Sequence, residues 1–238
     1  MVRTAAWRST VPLVEETAAL LRERIFEGRY APGARLAQAE LSAELSLSRT
    51  PLREALRLLE EQGLVRTDER GGARVSTMGA EELLDALEFR QAVEGLAARL
   101  ACARFAAARR GPSAGAAALE ELRQLADAES RELFPGRERR FAQLSGRFHE
   151  GLLQASGNTF IQRQSGLVRI TEQLFRPAVL ATPQAAAAAQ AGHAALVVVL
   201  ERGDADAAER LARQQLRAAA ELIREDMTSS TSSGPGAP

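Results

Sequence analysis

The sequence predicts a mainly α-helical chain in two parts, an N-terminal winged helix-turn-helix followed by an all-α antiparallel helical bundle. Three observations carry that expectation. Aromatic residues make up only 4% of the 238 residues while Ala, Leu and Arg dominate, a composition that packs helices through small and branched aliphatic side chains. Two short amphipathic segments are separated by just Ser46-Leu47-Ser48, the tight spacing of a helix-turn-helix. From Met78 onward long helical segments are punctuated by Gly and Pro, as in a bundle with short connections. With 45% apolar residues there is material for a core in each part.

The elements follow in order. Residues 13–27 place Val14, Ala18, Leu21, Ile25 and Phe26 at helical spacing, and Gly28, Pro32 and Gly33 stop that helix. A short helix through "AQAELSAEL" turns Leu41 and Leu45 inward. The next helix opens with Ser48-Arg49-Thr50-Pro51. Ser48 or Thr50 can cap it, and Pro51 is tolerated in a first turn whose N–H groups have no partner inside the helix. Its inward stripe is Leu52, Ala55, Leu56 and Leu59, which leaves Arg49 and Arg53 one turn apart on the outer face at the positive end of the helix dipole. Gly63 ends it, and "LVRTDERGGARVST" reads as strand, turn and strand with Arg70, Gly71 and Gly72 at the tip. A helix-turn-helix with such a wing suits the major groove of DNA, the arginines reaching phosphates and base edges. The alternative is that Arg49 and Arg53 are merely solvated beside Glu54, Glu60 and Glu61.

Beyond Met78 the spacing predicts a helix of some thirty residues to Gly111-Pro112, then helices near 115–132, 138–156, 159–176, 184–201 and 204–226. These divide the chain into an extension at 1–12, a DNA-binding domain at 13–77, a helical domain at 80–226 and a disordered tail at 227–238, whose "TSSTSSGPGAP" has nothing to bury.

Composition excludes several classes. The 31 basic residues are all arginine and are matched by 31 acidic ones, so DNA binding must come from a local arrangement and not from general polycation character. Residues 1–77 hold twelve arginines against eleven acidic residues, which predicts local, salt-sensitive binding. The one cysteine, Cys102, lies in an amphipathic run and reads as a small core residue. No signal-peptide core opens the chain, and the longest apolar run, 194–200, is far short of a span. A cytoplasmic protein without membrane association is the expectation. Catalysis is not expected either, because "HEGLL" places Leu153 where a zinc-protease helix needs its second His, and no Gly-rich phosphate loop follows a strand.

The stretch from Leu21 to Ser76, with its "PGARL" turn, its "SRTPLREALRLLEEQGLV" helix and its Gly-containing wing, resembles the winged helix-turn-helix of GntR-family bacterial transcription regulators. The resemblance implies DNA contacts from Ser48, Arg49, Thr50 and Arg53, and from Arg70, Gly71 and Gly72 in the wing. Residues 80–226, with "EFRQAVEGLAARLA", "RFHEGLLQASGN" and a later His upstream of "LERGDADAAERLARQQL", resemble the ligand-binding FCD domain of the family's FadR-type branch. Many members of that branch hold a divalent metal, Zn²⁺ or Ni²⁺, through an Asp and three His. Here His149 and His193 match, but the Asp position is Ser145 and the third His position is Gln215. A serine hydroxyl and an amide beside two imidazoles form a poor ligand shell for either metal.

Those four positions still make a polar cluster in an apolar bundle, joined by Arg90. A small organic acid can partner it, Arg90 taking a carboxylate or phosphate through a bidentate pair. Alternatively Arg90 pairs with Glu94 or Glu88 and no ligand site remains. The resemblance therefore implies a homodimeric, ligand-responsive regulator, most simply a repressor, of a pseudo-palindromic double-stranded DNA operator. Two rivals stay open: a constitutive DNA-binding protein whose bundle only dimerises, and a metal-dependent sensor.

Overall fold

The structure, a computed structural model, describes residues 10–69, 71–108, 114–175 and 182–232. It divides at Thr77 into two compact units.

In the first unit α1 (Thr10–Phe26) packs on α3 (Arg49–Glu61), with α2 (Gln38–Glu44) leading into α3. Leu21, Ile25, Leu52, Ala55 and Leu59 are fully buried between them, as their helical spacing requires. The turn between α2 and α3 has a device the sequence did not announce. Ser46 adopts φ 53°, Leu47 N–H reaches back to Ser42 O at 3.0 Å and Ser46 N–H to Ala43 O at 3.4 Å, the bond pair of a Schellman helix end. Serine pays for a left-handed backbone that glycine adopts freely, so Ser46→Gly is expected to stabilise this unit by roughly 0.5–1 kcal/mol in urea unfolding. No gain would mean that the hydroxyl compensates the strain.

Strands β1 (Val65–Thr67) and β2 (Ala73–Val75) pair antiparallel, Arg66 opposite Arg74. The "PGARL" segment does more than turn. Gly33 N–H bonds Val75 O at 3.0 Å, Leu36 N–H bonds Ala73 O at 2.8 Å, and Arg35 bridges Arg74. The wing is thereby tied along its second edge to the loop after α1.

In the second unit α4 (Ala80–Ala108) lies along α10 (Ala205–Ser232), while α5 (Ala114–Ser130), α6 (Glu138–Ala155) and α9 (Pro183–Arg202) complete the bundle. Thr182 caps α9 by accepting from Ala185 N–H at 3.2 Å, and Gly203 at φ 82° ends it. This helix is long and apolar enough to cross a membrane by composition, but Leu196, Val197 and Leu200 are buried in the bundle core with Ala97, Cys102, Phe148 and Leu152.

Two expectations differ from what is observed. The single helix expected at 159–176 is broken into α7 (Thr159–Gln162), α8 (Ser165–Arg169) and a π-helical turn, Ile170–Phe175. Asn158 starts α7 by accepting from Phe160 and Ile161 N–H, and the wide turn that ends the segment brings consecutive residues, Thr171 and Glu172, to one partner on α4. The tail expected to be disordered from 227 is helical to Ser232, and Met227 still packs against the buried cluster formed by α4 and α10. The remainder of that tail lies outside the described residues.

Candidate functional site

The DNA-reading face expected from the sequence is built on the start of α3. Ser48 stands at the N-cap with φ −70° and ψ 158°, but its side chain makes no capping bond. The cap expected of the hydroxyl is therefore absent, and among the described residues no side chain caps the N–H groups of Arg49 and Thr50, which an external acceptor can take. Pro51 and Leu52 anchor the turn in the core, while Ser48, Arg49, Thr50 and Arg53 are exposed together. Arg49 has no hydrogen bond or ion pair among the described residues. Arg53 is 67% exposed and approaches Glu54 only to 3.8 Å, a contact of little energy at the surface. Glu60, one of the acids that could have neutralised this face, is directed elsewhere: it accepts from Thr67 N–H at 3.0 Å and Thr67 Oγ1 at 2.7 Å, joining α3 to β1.

The wing tip is organised by Asp68, which sequence reading passed over. Its carboxylate accepts from Gly72 N–H at 2.8 Å and Arg74 Nε at 3.0 Å, and its backbone bonds Gly71 and Gly72. Gly71 has φ 74° with open space around it, and a Cβ on Gly72 would meet Asp68 at 3.1 Å. Arg70 lies outside the described residues.

In the second unit the structure brings four of the five expected cluster residues into one buried network. Arg90, Ser145, His149 and His193 are each 2% exposed or less. Arg90 donates from Nε to Glu94 at 2.6 Å and from Nη1 to Thr171 at 2.6 Å and Glu172 at 2.7 Å. Ser145 Oγ donates to the other oxygen of Glu172 at 2.9 Å. His149 Nδ1 lies 2.6 Å from Glu94, His193 Nδ1 lies 2.8 Å from Glu129, and the two Nε2 atoms meet at 3.2 Å. The Phe148 ring stacks on His193 with centroids 4.2 Å apart. A continuous hydrogen-bonded chain thus runs Glu129, His193, His149, Glu94, Arg90, Glu172, Ser145, linking α5, α9, α6, α4 and the π turn.

Gln215 is the exception. Its side chain lies beside Gly192, where a Cβ would come within 3.1 Å, and both its amide atoms are buried without a hydrogen-bond partner, as is Arg90 Nη2.

The electrostatics follow from burial and pairing. Burial alone would raise the Glu94 carboxyl, but Arg90 and His149 beside it prevail and lower it to about 2. Burial lowers the His149 imidazole below its usual range even with Glu94 and Glu172 near. Arg90 is raised, because those same two carboxylates outweigh its desolvation. Of the acids in this chain, Glu94 was visible in the sequence as a possible partner of Arg90. Glu129 had a signal that went unread: it continues the Leu122, Leu125, Ala126 spacing onto the buried stripe of α5. Glu172 had none, since the π turn breaks the helical register that would have placed it.

The donor set does not fit the divalent metal that many members of the FadR-type branch hold. Among the described residues no three His, Cys, Asp or Glu side chains are grouped to hold a metal ion. Glu94 and Glu172 take Nε and Nη1 of Arg90, the pairing that the sequence offered as the alternative to a ligand, and Nη2 has no partner among the described residues.

Comparison with known proteins gives a consistent result. Residues 13–75 match the model of the gntR family of bacterial regulatory proteins, and residues 85–218 match the FCD domain. The chain is 29% identical over 185 residues, 78% of its length and 77% of the relative's, to a protein of Paenarthrobacter nicotinovorans described as "Probable D-xylose utilization operon transcriptional repressor". It is 36% identical over 80 residues to the HTH-type transcriptional regulator YdhC of Bacillus subtilis, a match that spans 34% of this chain and 36% of that one. Among solved structures, a GntR transcriptional regulator from Rhodococcus sp. RHA1 superimposes with TM-score 0.74 at 21% identity, covering 89% of this chain and 97% of that one. E. coli McbR/YncC does so with TM-score 0.70 at 19% identity over 90% and 98%.

Proposed function

We propose, from the premise that this chain belongs to the gntR family of bacterial regulatory proteins with an FCD domain and is a DNA-binding transcription regulator, that it is a cytoplasmic, homodimeric, ligand-responsive repressor of a pseudo-palindromic operator. The observation that carries this reading is the start of α3, where Arg49, Thr50 and Arg53 stand exposed at a helix N-terminus whose inner face is locked into the core. Each subunit reads one half-site with those side chains and Ser48, and the wing, through Arg70, Gly71 and Gly72, contacts backbone or minor groove.

The effector reading rests on the buried chain of polar groups and on its unpartnered atoms. Arg90 Nη2 and the Gln215 amide are what a small organic acid would meet, with Ser145, His149 and His193 around it. Arg90 and Glu94 both sit on α4, which begins three residues after the unit boundary at Thr77. A ligand that alters their bonds therefore biases the helix leading out of the DNA-binding unit. It shifts the dimer between arrangements only by the difference in its affinity for each. One observation favours a constitutive regulator instead: the carboxylates around Arg90 are already supplied by the protein.

Selection of bound fragments from a random DNA pool by the full chain tests the reading. Enrichment of two inverted half-sites with centres about 10 bp apart, or a multiple of that, is the expected result. A single half-site without a symmetry mate would contradict the dimeric reading. Loss of binding to the selected site on adding a small organic acid supports ligand response, and a panel without effect favours the constitutive form.

A further inference from the structure

The cluster at the positions where many FCD domains hold a metal is built here from the chain's own polar groups. Both histidines hold a carboxylate at Nδ1, Glu94 for His149 and Glu129 for His193, an arrangement that metal-ligating histidines share. The other donors decide the matter. The two Nε2 atoms, the imidazole nitrogens left for a metal, are spent on each other at 3.2 Å, one of them carrying the proton that the other accepts. Ser145, in the place of the Asp, spends its hydroxyl proton on Glu172. Glu172 is the nearest carboxylate to His149 Nε2, but its Oε1 stands 3.9 Å away and is held at 2.7 Å by Arg90. Gln215, in the place of the third His, offers a neutral amide with no hydrogen-bond partner among the described residues. Two imidazoles are half of the four donors a zinc site needs.

We propose that this chain has dispensed with the metal: the direct His149–His193 hydrogen bond ties α6 to α9 in place of a shared ion, and Arg90, Glu172 and Ser145 close the remaining ligand positions into a metal-independent core. The substitutions Ser145 and Gln215 are the cause, and restoring Asp and His there restores a metal site. This claim is independent of whether an organic effector binds.

The test uses the untagged full chain, expressed with added zinc and nickel and purified without chelator. Metal content by mass spectrometry is expected to stay below roughly 0.1 ion per chain, and the thermal midpoint is expected not to move with EDTA, ZnCl2 or NiCl2. One equivalent surviving dialysis, or a midpoint that rises with either salt, overturns the proposal. The variant Ser145→Asp/Gln215→His is expected to retain about one zinc or nickel ion per chain and to lose midpoint with EDTA. A folded double variant that takes up no metal contradicts the assignment of those two positions as the cause. Should that variant fail to fold, Gln215→His alone carries the test: with three imidazoles restored a midpoint raised by ZnCl2 is expected, and no response contradicts Gln215 as a cause.

Discussion

Arg90→Ala is expected to destabilise the C-terminal unit by about 3–5 kcal/mol, since removing one partner of a buried ion pair leaves the other charge uncompensated. Arg90 is 1% exposed, and its guanidinium binds Glu94, Thr171 and Glu172 at once. Its loss removes the cation that Glu94 and Glu172 share and the bonds by which α4 holds Thr171 and Glu172 of the π turn. In a unit of this size the change corresponds to a fall in thermal midpoint of roughly 10 °C or more. Arg90→Lys is expected to recover only part of it, because an ammonium cannot span both carboxylates as a planar fork does. Arg99→Ala is the control. Its pairs with Asp206 and Glu209 hold a guanidinium that is 45% exposed, and such surface pairs contribute about 1 kcal/mol or less. Equal losses from the two variants would refute the network as the organising element of this unit.

Acid should dismantle the same network. Glu94 is lowered from 4.5 to about 2, so the unfolded chain takes up a proton between those values that the folded chain refuses. Its contribution is complete above pH 4.5 and is lost as pH falls towards 2, and a gap of about 2.5 units amounts to about 3 kcal/mol. His149 acts with the same sign. Its folded value is depressed below 6.5, so the loss begins as pH drops through the range where the unfolded imidazole charges. Urea unfolding of the full chain at several pH values between 7 and 3 is expected to show a steadily falling midpoint in the C-terminal unit. Glu94→Gln, less stable at neutral pH, should show a shallower fall below pH 4.5. A wild-type midpoint that is flat from pH 7 to 3 would mean that these groups titrate alike in both states.

The DNA-binding unit was legible because its signals are local. Four leucine and alanine positions on α3, a three-residue turn and a Gly-Gly tip each fix the backbone within a few residues, and Leu52, Ala55, Leu56 and Leu59 are all buried as their spacing demands. The parts missed there are long-range or carried by one side chain: the pairing of 33–36 with β2, Glu60 turned to Thr67, and Asp68 inside the wing tip.

The interior site was half legible. Arg90, Ser145, His149 and His193 are brought together, and each lies on a regular helix where periodicity gives its facing. Glu129 and Glu172 complete the chain from α5 and from a π turn. One lay among several acids of a helix whose facing was not worked out, and the other on a segment whose register no helical period describes. Pairing across helices, which decides what Arg90 and Ser145 are free to do, is not written in any single helix.

The most direct test of the reading as a DNA-binding regulator is the affinity of the full chain and of Arg49→Ala for the selected DNA site, by fluorescence anisotropy across a range of salt concentrations. The wild-type protein is expected to bind with an affinity that falls steeply with salt. Arg49→Ala, which removes an exposed side chain with no hydrogen bond or ion pair among the described residues, is expected to lose about 1–3 kcal/mol of binding to the site while its thermal midpoint and its weak binding to unrelated DNA stay nearly unchanged. Equal affinity of the two proteins for the site at every salt concentration would contradict the assignment of α3 as the element that reads DNA.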